Sequence, residues 1–387
     1  MCFWATTFGP DQIALAWELD RRDDFQVLVA VDDPATVSRE ASLRRHPLST
    51  PLVDKGALSL WMAASFSPDV VVVDNGLPWV PISRAGLVQW HGYGWKGPDD
   101  IPDMIHRYLT ISAHWGSPLR ETSRARWACF GPQDFEHRTR VGRLHPAICR
   151  QVGSACHDVL RIPVDRAELA SFYPFDIVQR CNVLIAPTWH YGGVLGHWGN
   201  EGALLEELVS RVRSRDGNVI FRLHDRWRME PGVLDVVHGL AHRFDNVLLK
   251  FKNENPDGLA DLQVADVLIT NMSSIADLFY ATLRPTIHVF PVADEAAPFQ
   301  KRQLWMGRIR TQELGSARQL WKLRPEINGG MMARSREELL SLVDRALDEP
   351  DCCRDRAREF LDTYMLGADG QSCERLIETI RELVDAT

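Results

Sequence analysis

At 387 residues and a net charge of −8, from 44 Lys and Arg against 52 Asp and Glu, the chain is long enough for two domains. It is too acidic for a general nucleic-acid binder, whose affinity rests on Lys and Arg. Its composition is that of a globular protein, no apolar run approaches a membrane span, and the start Met1–Thr7 lacks the basic and apolar regions of a signal peptide. Eight cysteines occur without a C-x-x-C pair, so a cytoplasmic protein with reduced thiols is expected.

Taken in order, Cys2–Thr6 reads as a strand, Phe8-Gly9-Pro10 as a loop, Ile13–Asp20 as a helix and Phe25–Val31 as a strand. Leu58–Phe66 reads as a helix, Pro68–Asp74 as an apolar strand ending in Asn75-Gly76, and Leu87–His91 as a strand running into the glycine-rich turn Gly92–Gly97. Between Arg120 and Arg150 seven arginines gather. A solvated polar face is the preferred reading there, with a phosphate-rich acceptor or an anionic membrane surface as the sharper alternative.

After Pro163–Pro174 a second series begins, with strands Asn182–Ala186, Asn218–Leu223, Val247–Lys252, Val267–Thr270 and Thr286–Phe290. Helices Glu201–Arg213, Val233–Phe244 and Ile275–Leu283 alternate with them, and Arg334–Asp348, Asp351–Tyr364 and Gln371–Val384 read as closing helices. Apolar strands alternating with helices imply parallel sheets covered on both faces. The fold class is therefore α/β, two Rossmann-like domains facing a cleft, divided as 1–165 and 175–364. A last helix within 365–387 could pack back toward the first domain. Ligands in such sheets bind beyond the carboxyl ends of the strands.

Candidate chemistry sits at those strand ends. His91 is a titratable ring before an open glycine turn, with Lys96 five residues on. His224 follows a strand with Arg222 and Arg226 beside it, a cluster that could hold a phosphate, or that Asp225 could turn into an internal ion pair. The turn Pro187–Gly193 closes another strand. Val267–Thr270 leads through Asn271 to Ser273 and Ser274 at a helix start, where hydroxyls and backbone N–H groups make an anion site or simply a cap. His238 and His242, one helical turn apart, read as helix surface because no third ligand is implied. No P-loop, no G-x-G-x-x-G after the first strand and no G-x-S-x-G is present, which removes the usual support for ATP hydrolysis, NAD chemistry and serine-hydrolase chemistry.

Five segments, in order, resemble motifs of the CDP-glycerol glycerophosphotransferase family, the enzymes that prime and polymerise teichoic acids. Trp90-His91-Gly92-Tyr93-Gly94-Trp95-Lys96 is similar to W-H-G-x-x-x-K, Ala186-Pro187-Thr188-Trp189 to A-P-T-[FW], and Arg222-Leu223-His224 to R-x-H. Ala265–Ser274 resembles A-D-x-L-I-T-D-x-S-S and Asp369–Arg375 resembles D-G-x-[SA]-x-x-R. Departures are Asn271 for Asp, Gly94-Trp95 for Pro-Leu, Asp225 for Pro, and Gly142–Ala147 for G-x-P-R-x-D.

The resemblance implies a GT-B architecture and transfer of an alditol phosphate from a CDP-alditol donor to an acceptor hydroxyl, lipid-linked or polymeric, with CMP leaving. By it His91 is the base and His224 steadies the departing CMP, with Arg222 nearby. Ser273, Ser274, Thr270, Asn271, Thr188 and Gly92 would bind substrate, Lys96 would neutralise a phosphate, and Lys252 and Asn253 would contact the cytosine. No cofactor or nucleic acid is expected, with a divalent metal and peripheral contact at the inner membrane face left open. The rival readings are a GT-B glycosyltransferase or sugar-nucleotide epimerase using a UDP- or GDP-sugar, and a catalytically silent nucleotide-binding relative.

Overall fold

The structure is a computed structural model that describes residues 1–90, 92, 94–95, 99–189, 198–229, 231–290, 299–305, 308–314 and 322–386. A first sheet contains β1 (Cys2–Trp4), β2 (Leu28–Val31), β3 (Leu52–Asp54), β4 (Val70–Val73), β5 (Ala85–Val88), β6 (Ala125–Cys129) and β7 (Cys149–Gln151). All its pairings are parallel, in the order β3-β2-β1-β4-β5-β6-β7. A second parallel sheet contains β8 (Cys181–Ile185), β9 (Gly217–Leu223), β10 (Val247–Phe251), β11 (Val267–Thr270) and β12 (Thr286–Val289). An antiparallel hairpin, β13 (Phe299–Trp305) and β14 (Arg308–Leu314), precedes its edge strand β15 (Met331–Ala333), and the order is β10-β9-β8-β11-β12-β15.

The apolar strands are buried on both faces, and their side chains divide with a period of two. In β4, Val70 and Val72 enter one core while Val71 and Val73 enter another. In β11, Leu268 joins the core shared by the two halves, and Val267 and Ile269 join that of the second half. Both sheets reverse strand order at an internal pair, β1 beside β4 and β8 beside β11, which opens a crevice at the carboxyl ends of each.

Several expected elements shift. The strand expected over Leu87–His91 is β5, which ends at Val88, so Gln89 and Trp90 lie past it in the loop. The helix expected over 275–283 is Ile275–Phe279, continued by one 3-10 turn at Tyr280–Thr282 and stopped at Leu283 with φ +58°. The arginine-rich stretch builds β6 and the helix Pro132–Arg140. There Arg138 is buried and pairs with Asp134 and Asp99, Arg140 pairs with Glu136, and Arg150 pairs with Glu382. The last helix, Ser372–Asp385, buries Leu376, Ile377, Ile380 and Leu383 in the shared core, with the Asp158 carboxylate accepting from the Ser372 and Cys373 amides.

Among the described residues, three of the contacts across the seam between the halves stand out. The carboxylate of Asp257, which caps the helix Gly258–Val264, accepts from the amide and hydroxyl of Ser42 at 2.7 and 2.9 Å. His157, in the helix Ala155–Leu160, donates through Nε2 to the Asp277 carbonyl at 2.9 Å. Trp95 leaves the loop after β5 and is fully buried against Tyr280, His288 and Phe360, its Nε1–H donating to Ile327 O at 2.7 Å. Removing a packed indole leaves a large cavity. Trp95→Ala is therefore expected to cost about 3–5 kcal/mol in urea unfolding, and a loss under about 1 kcal/mol would contradict the anchoring role.

Candidate active site in the cleft between the sheets

A cleft of about 540 Å³ lies at the carboxyl ends of both sheets. From the first half it takes Thr7, Gly9, Pro10 and Gln12 after β1, Asp74 after β4, and Gln89, Trp90 and Gly92 after β5. From the second it takes Pro187, Thr188 and Trp189 after β8, Arg222 and His224 at the end of β9, Lys252 after β10, and Ser273 and Ser274 after β11. Among the expected site residues, Gly92, Thr188, Arg222, His224, Lys252, Ser273 and Ser274 thus share one cleft. His91 and Lys96 lie outside the described residues.

The two walls meet at Gly92. Its φ of +134° is glycine territory, and a Cβ there would stand 2.7 Å from the Ser274 Cβ, so only a bare backbone fits against the serine. Gly94, at φ +80°, approaches the same hydroxyl. Ser274 precedes a helix of only five residues and makes no side-chain cap to it. The capping reading therefore does not describe this serine, and a helix of this length adds little dipole to the anion site expected there.

Arg222 is buried, and its ion-pair partner is Asp261 rather than Asp225. Nη1 donates to Asp261 at 2.9 Å and Nη2 to Pro256 O at 3.2 Å. Asp261 also accepts from Lys250 and from the Tyr173 hydroxyl, each at 2.7 Å. Burial would lift its carboxyl, but Lys250 and Arg222 together hold it below the ordinary value. Glu40 and Asp257 stand in the same electrostatic neighbourhood as Arg222 and Lys250. Lys252 also lines this wall, and burial draws its ammonium below the usual lysine range despite Asp74 opposite.

His224 is oriented by its backbone. The Arg226 amide donates to Nδ1 at 3.2 Å, so the ring proton of the neutral form sits on Nε2. Its ring lies 6.1 Å from Trp189, over which the Arg226 guanidinium also stacks at 4.5 Å.

Three expected contacts have other work in the fold. Thr270 is buried with its hydroxyl donating to Ala186 O at 2.7 Å. Asn271 accepts from the Thr188 amide at 2.9 Å and donates to the Thr188 carbonyl at 3.4 Å. A carboxylate could make only the first of these bonds, which explains an amide where the resembling motif has Asp. Asn253 is exposed and absent from the cleft lining, its amide donating to Asp225 at 2.6 Å.

Sequence reasoning passed over Asp11, Gln12, Asp74, Gln89, Asp99 and Lys322, all of which line the cleft. Most follow strands of the first sheet, and the rule that ligands gather beyond strand carboxyl ends was the available signal. Asp74 accepts from the Thr6 and Thr7 amides, and Asp99 pairs with Lys322 across the seam. Among the described residues no group of three or more His, Cys, Asp and Glu could hold a metal ion, and no helix is long and apolar enough to cross a membrane.

No protein-family model and no curated protein sequence matches the chain. Solved structures do match. The wall teichoic acid polymerase TagF superposes with a TM-score of 0.68 at 12% identity over 100% of this chain and 89% of that one. A TagF variant soaked with CDPG gives 0.67 at 13%, with the same coverage. MnaA of S. aureus with UDP gives 0.57 at 11%, covering 100% and 97%. The UDP-GlcNAc 2-epimerase of Neisseria meningitidis bound to UDP-GlcNAc gives 0.56 at 12%, covering 98% and 99%. The chain has the two-domain α/β architecture of the GT-B class. Within that class, the chain is TagF-like in fold.

His288 couples the seam to this site. The Asn271 carbonyl can only accept, so Nδ1–H donates to it at 3.1 Å and Nε2 accepts from the Tyr280 hydroxyl at 2.6 Å. Burial pushes His288 and His157 down to about 4 from 6.5, so both are neutral in the folded state at pH 7. Between those values the unfolded chain binds more protons, and each ring costs stability as pH falls. Glu40, lifted by burial to about 7, acts in the opposite sense, so the test is a difference. Relative to His157→Gln, the unsubstituted protein should lose about 1.4 kcal/mol per pH unit from about 6.5 down to about 4 in urea midpoints. A pH-independent difference would contradict a buried neutral His157.

Proposed function

We propose that the chain is a transferase that moves an alditol phosphate from a CDP-alditol to an acceptor hydroxyl and releases CMP. The observation that carries the reading is the meeting of His224, Lys252, Ser273 and Ser274 on one wall with the Gly92 backbone on the other. Transfer of a phosphoryl-type group asks for positioned charge and hydrogen-bond donors more than for covalent chemistry. The acceptor oxygen attacks the alditol-side phosphorus, the phosphorus–oxygen bond to CMP breaks, and the acceptor proton passes to the base. His91, between the cleft-lining Trp90 and Gly92, is the base in this reading. His224, with its proton on Nε2, donates to the oxygen that departs with CMP. Lys252 and the two serines hold the diphosphate, and Lys96 serves a phosphate of donor or acceptor.

A second reading, a UDP-sugar epimerase, draws on the likeness to MnaA and the Neisseria enzyme. Nucleotide release separates the two. With CDP-glycerol, CDP-ribitol, UDP-GlcNAc and a GDP-sugar offered beside a lipid and polyol extract, CMP should appear from a CDP-alditol. His224→Ala should reduce that release by about 10²–10³-fold. Interconversion of UDP-GlcNAc without acceptor, or release of UDP or GDP alone, would overturn the proposal.

A further inference from the structure

The first-half wall of the cleft carries polar groups that have no partner among the described residues. The 11-residue helix Pro10–Asp20 begins at the cleft, where Pro10 faces Arg222 and Gly258 of the opposite wall. In its first turn, Gln12 is only 2% exposed, and neither its Nε2 nor its Oε1 has a partner. Gln89, 5% exposed, lines the same wall. Its Nε2 donates to the Asp11 carbonyl at 3.3 Å, and its Oε1 has no partner. That carbonyl can only accept, which fixes the Gln89 amide with its oxygen as the orphan. A buried amide left unmade is costly, and such groups in a cleft mark what the ligand must supply.

The inventory selects the chemistry. Two orphan oxygens require hydrogen-bond donors, and the Gln12 amide nitrogen requires an acceptor. A phosphate offers acceptors only, whereas hydroxyls offer both. Asp74 on this wall also opposes an anion, whereas Asp99 is held by Arg138 and Lys322. We infer that Gln12 and Gln89 form a subsite for a neutral polyhydroxylated group, an alditol or sugar, opposite the wall that carries Arg222 and Lys252. The polyol belongs either to the donor's alditol arm or to the acceptor, and in that assignment alone the inference rests on the transferase reading.

The test titrates free ribitol and glycerol into the full chain, followed by saturation-transfer NMR, with CMP and inorganic phosphate as separate probes. Ribitol or glycerol should bind saturably. Gln12→Met and Gln89→Met should each weaken that binding about tenfold and leave CMP affinity within about twofold. Gln12→Met should unfold at no lower urea concentration than the unsubstituted protein, because it removes an orphaned amide. Displacement of ribitol by CDP-ribitol assigns the subsite to the donor arm, and simultaneous binding assigns it to the acceptor. Absence of polyol binding, equal binding to both variants, or displacement by inorganic phosphate overturns the inference. CMP release with the KM of both donor and acceptor unchanged in both variants would remove the subsite and keep the transferase. Polyol binding lost in the variants with no CMP release from any donor would do the reverse.

Discussion

Trp95 belongs to the first half by sequence and to the second by packing. Its indole is enclosed by Tyr280, His288 and Phe360, with the Nε1–H taken by Ile327 O. Full burial of so large a side chain supplies a few kcal/mol, enough to fix the loop after β5 against the opposite half. In that loop Gly92 and Gly94 then approach Ser274 of the second wall with no side chain of their own between. From Trp95 a line of contacts runs through the His288 ring to the Asn271 carbonyl, and from the Asn271 amide to Thr188. Anchor and cleft loops are thus one packed unit.

The cleft has two chemical characters because its walls come from different sheets. On the second, Arg222 and Lys250 share one carboxylate and Lys252 stands nearby. On the first, Asp74 and Asp99 have their oxygens occupied by amides and cations, and the unpaired chemistry is that of buried glutamine amides. A ligand with one charged end and one hydroxylated end fits this division, whether both ends belong to one molecule or to two.

Much of this was legible in the sequence because apolar strands and strand-end motifs are local signals. Val70–Val73 and Val267–Thr270 read directly as buried parallel strands, and the recurrence of strand and helix gave two α/β halves. The GT-B expectation drawn from five short motifs agrees with the fold that the TagF structures share. What escaped depends on tertiary partners. Nothing local to Arg222 reveals that Asp261, 39 residues on, is its counter-ion. Thr270 and Asn271 read as substrate contacts because their motif role was visible and their bonds to Ala186 and Thr188 were not. The helix after Ser274 looked long because its apolar spacing continues past Phe279, where the chain tightens into a 3-10 turn. The glutamine pair had no motif at all; its meaning lies in bonds that are missing.

The most direct test of a composite cleft built on the Trp95 anchor is backbone hydrogen exchange with and without CDP-glycerol. The account predicts slowed exchange in segments of both halves together, at 186–189, 222–226 and 273–278 and in the loop 89–95, with UDP-GlcNAc giving less. Protection confined to one half, or lying away from these loops, would contradict it.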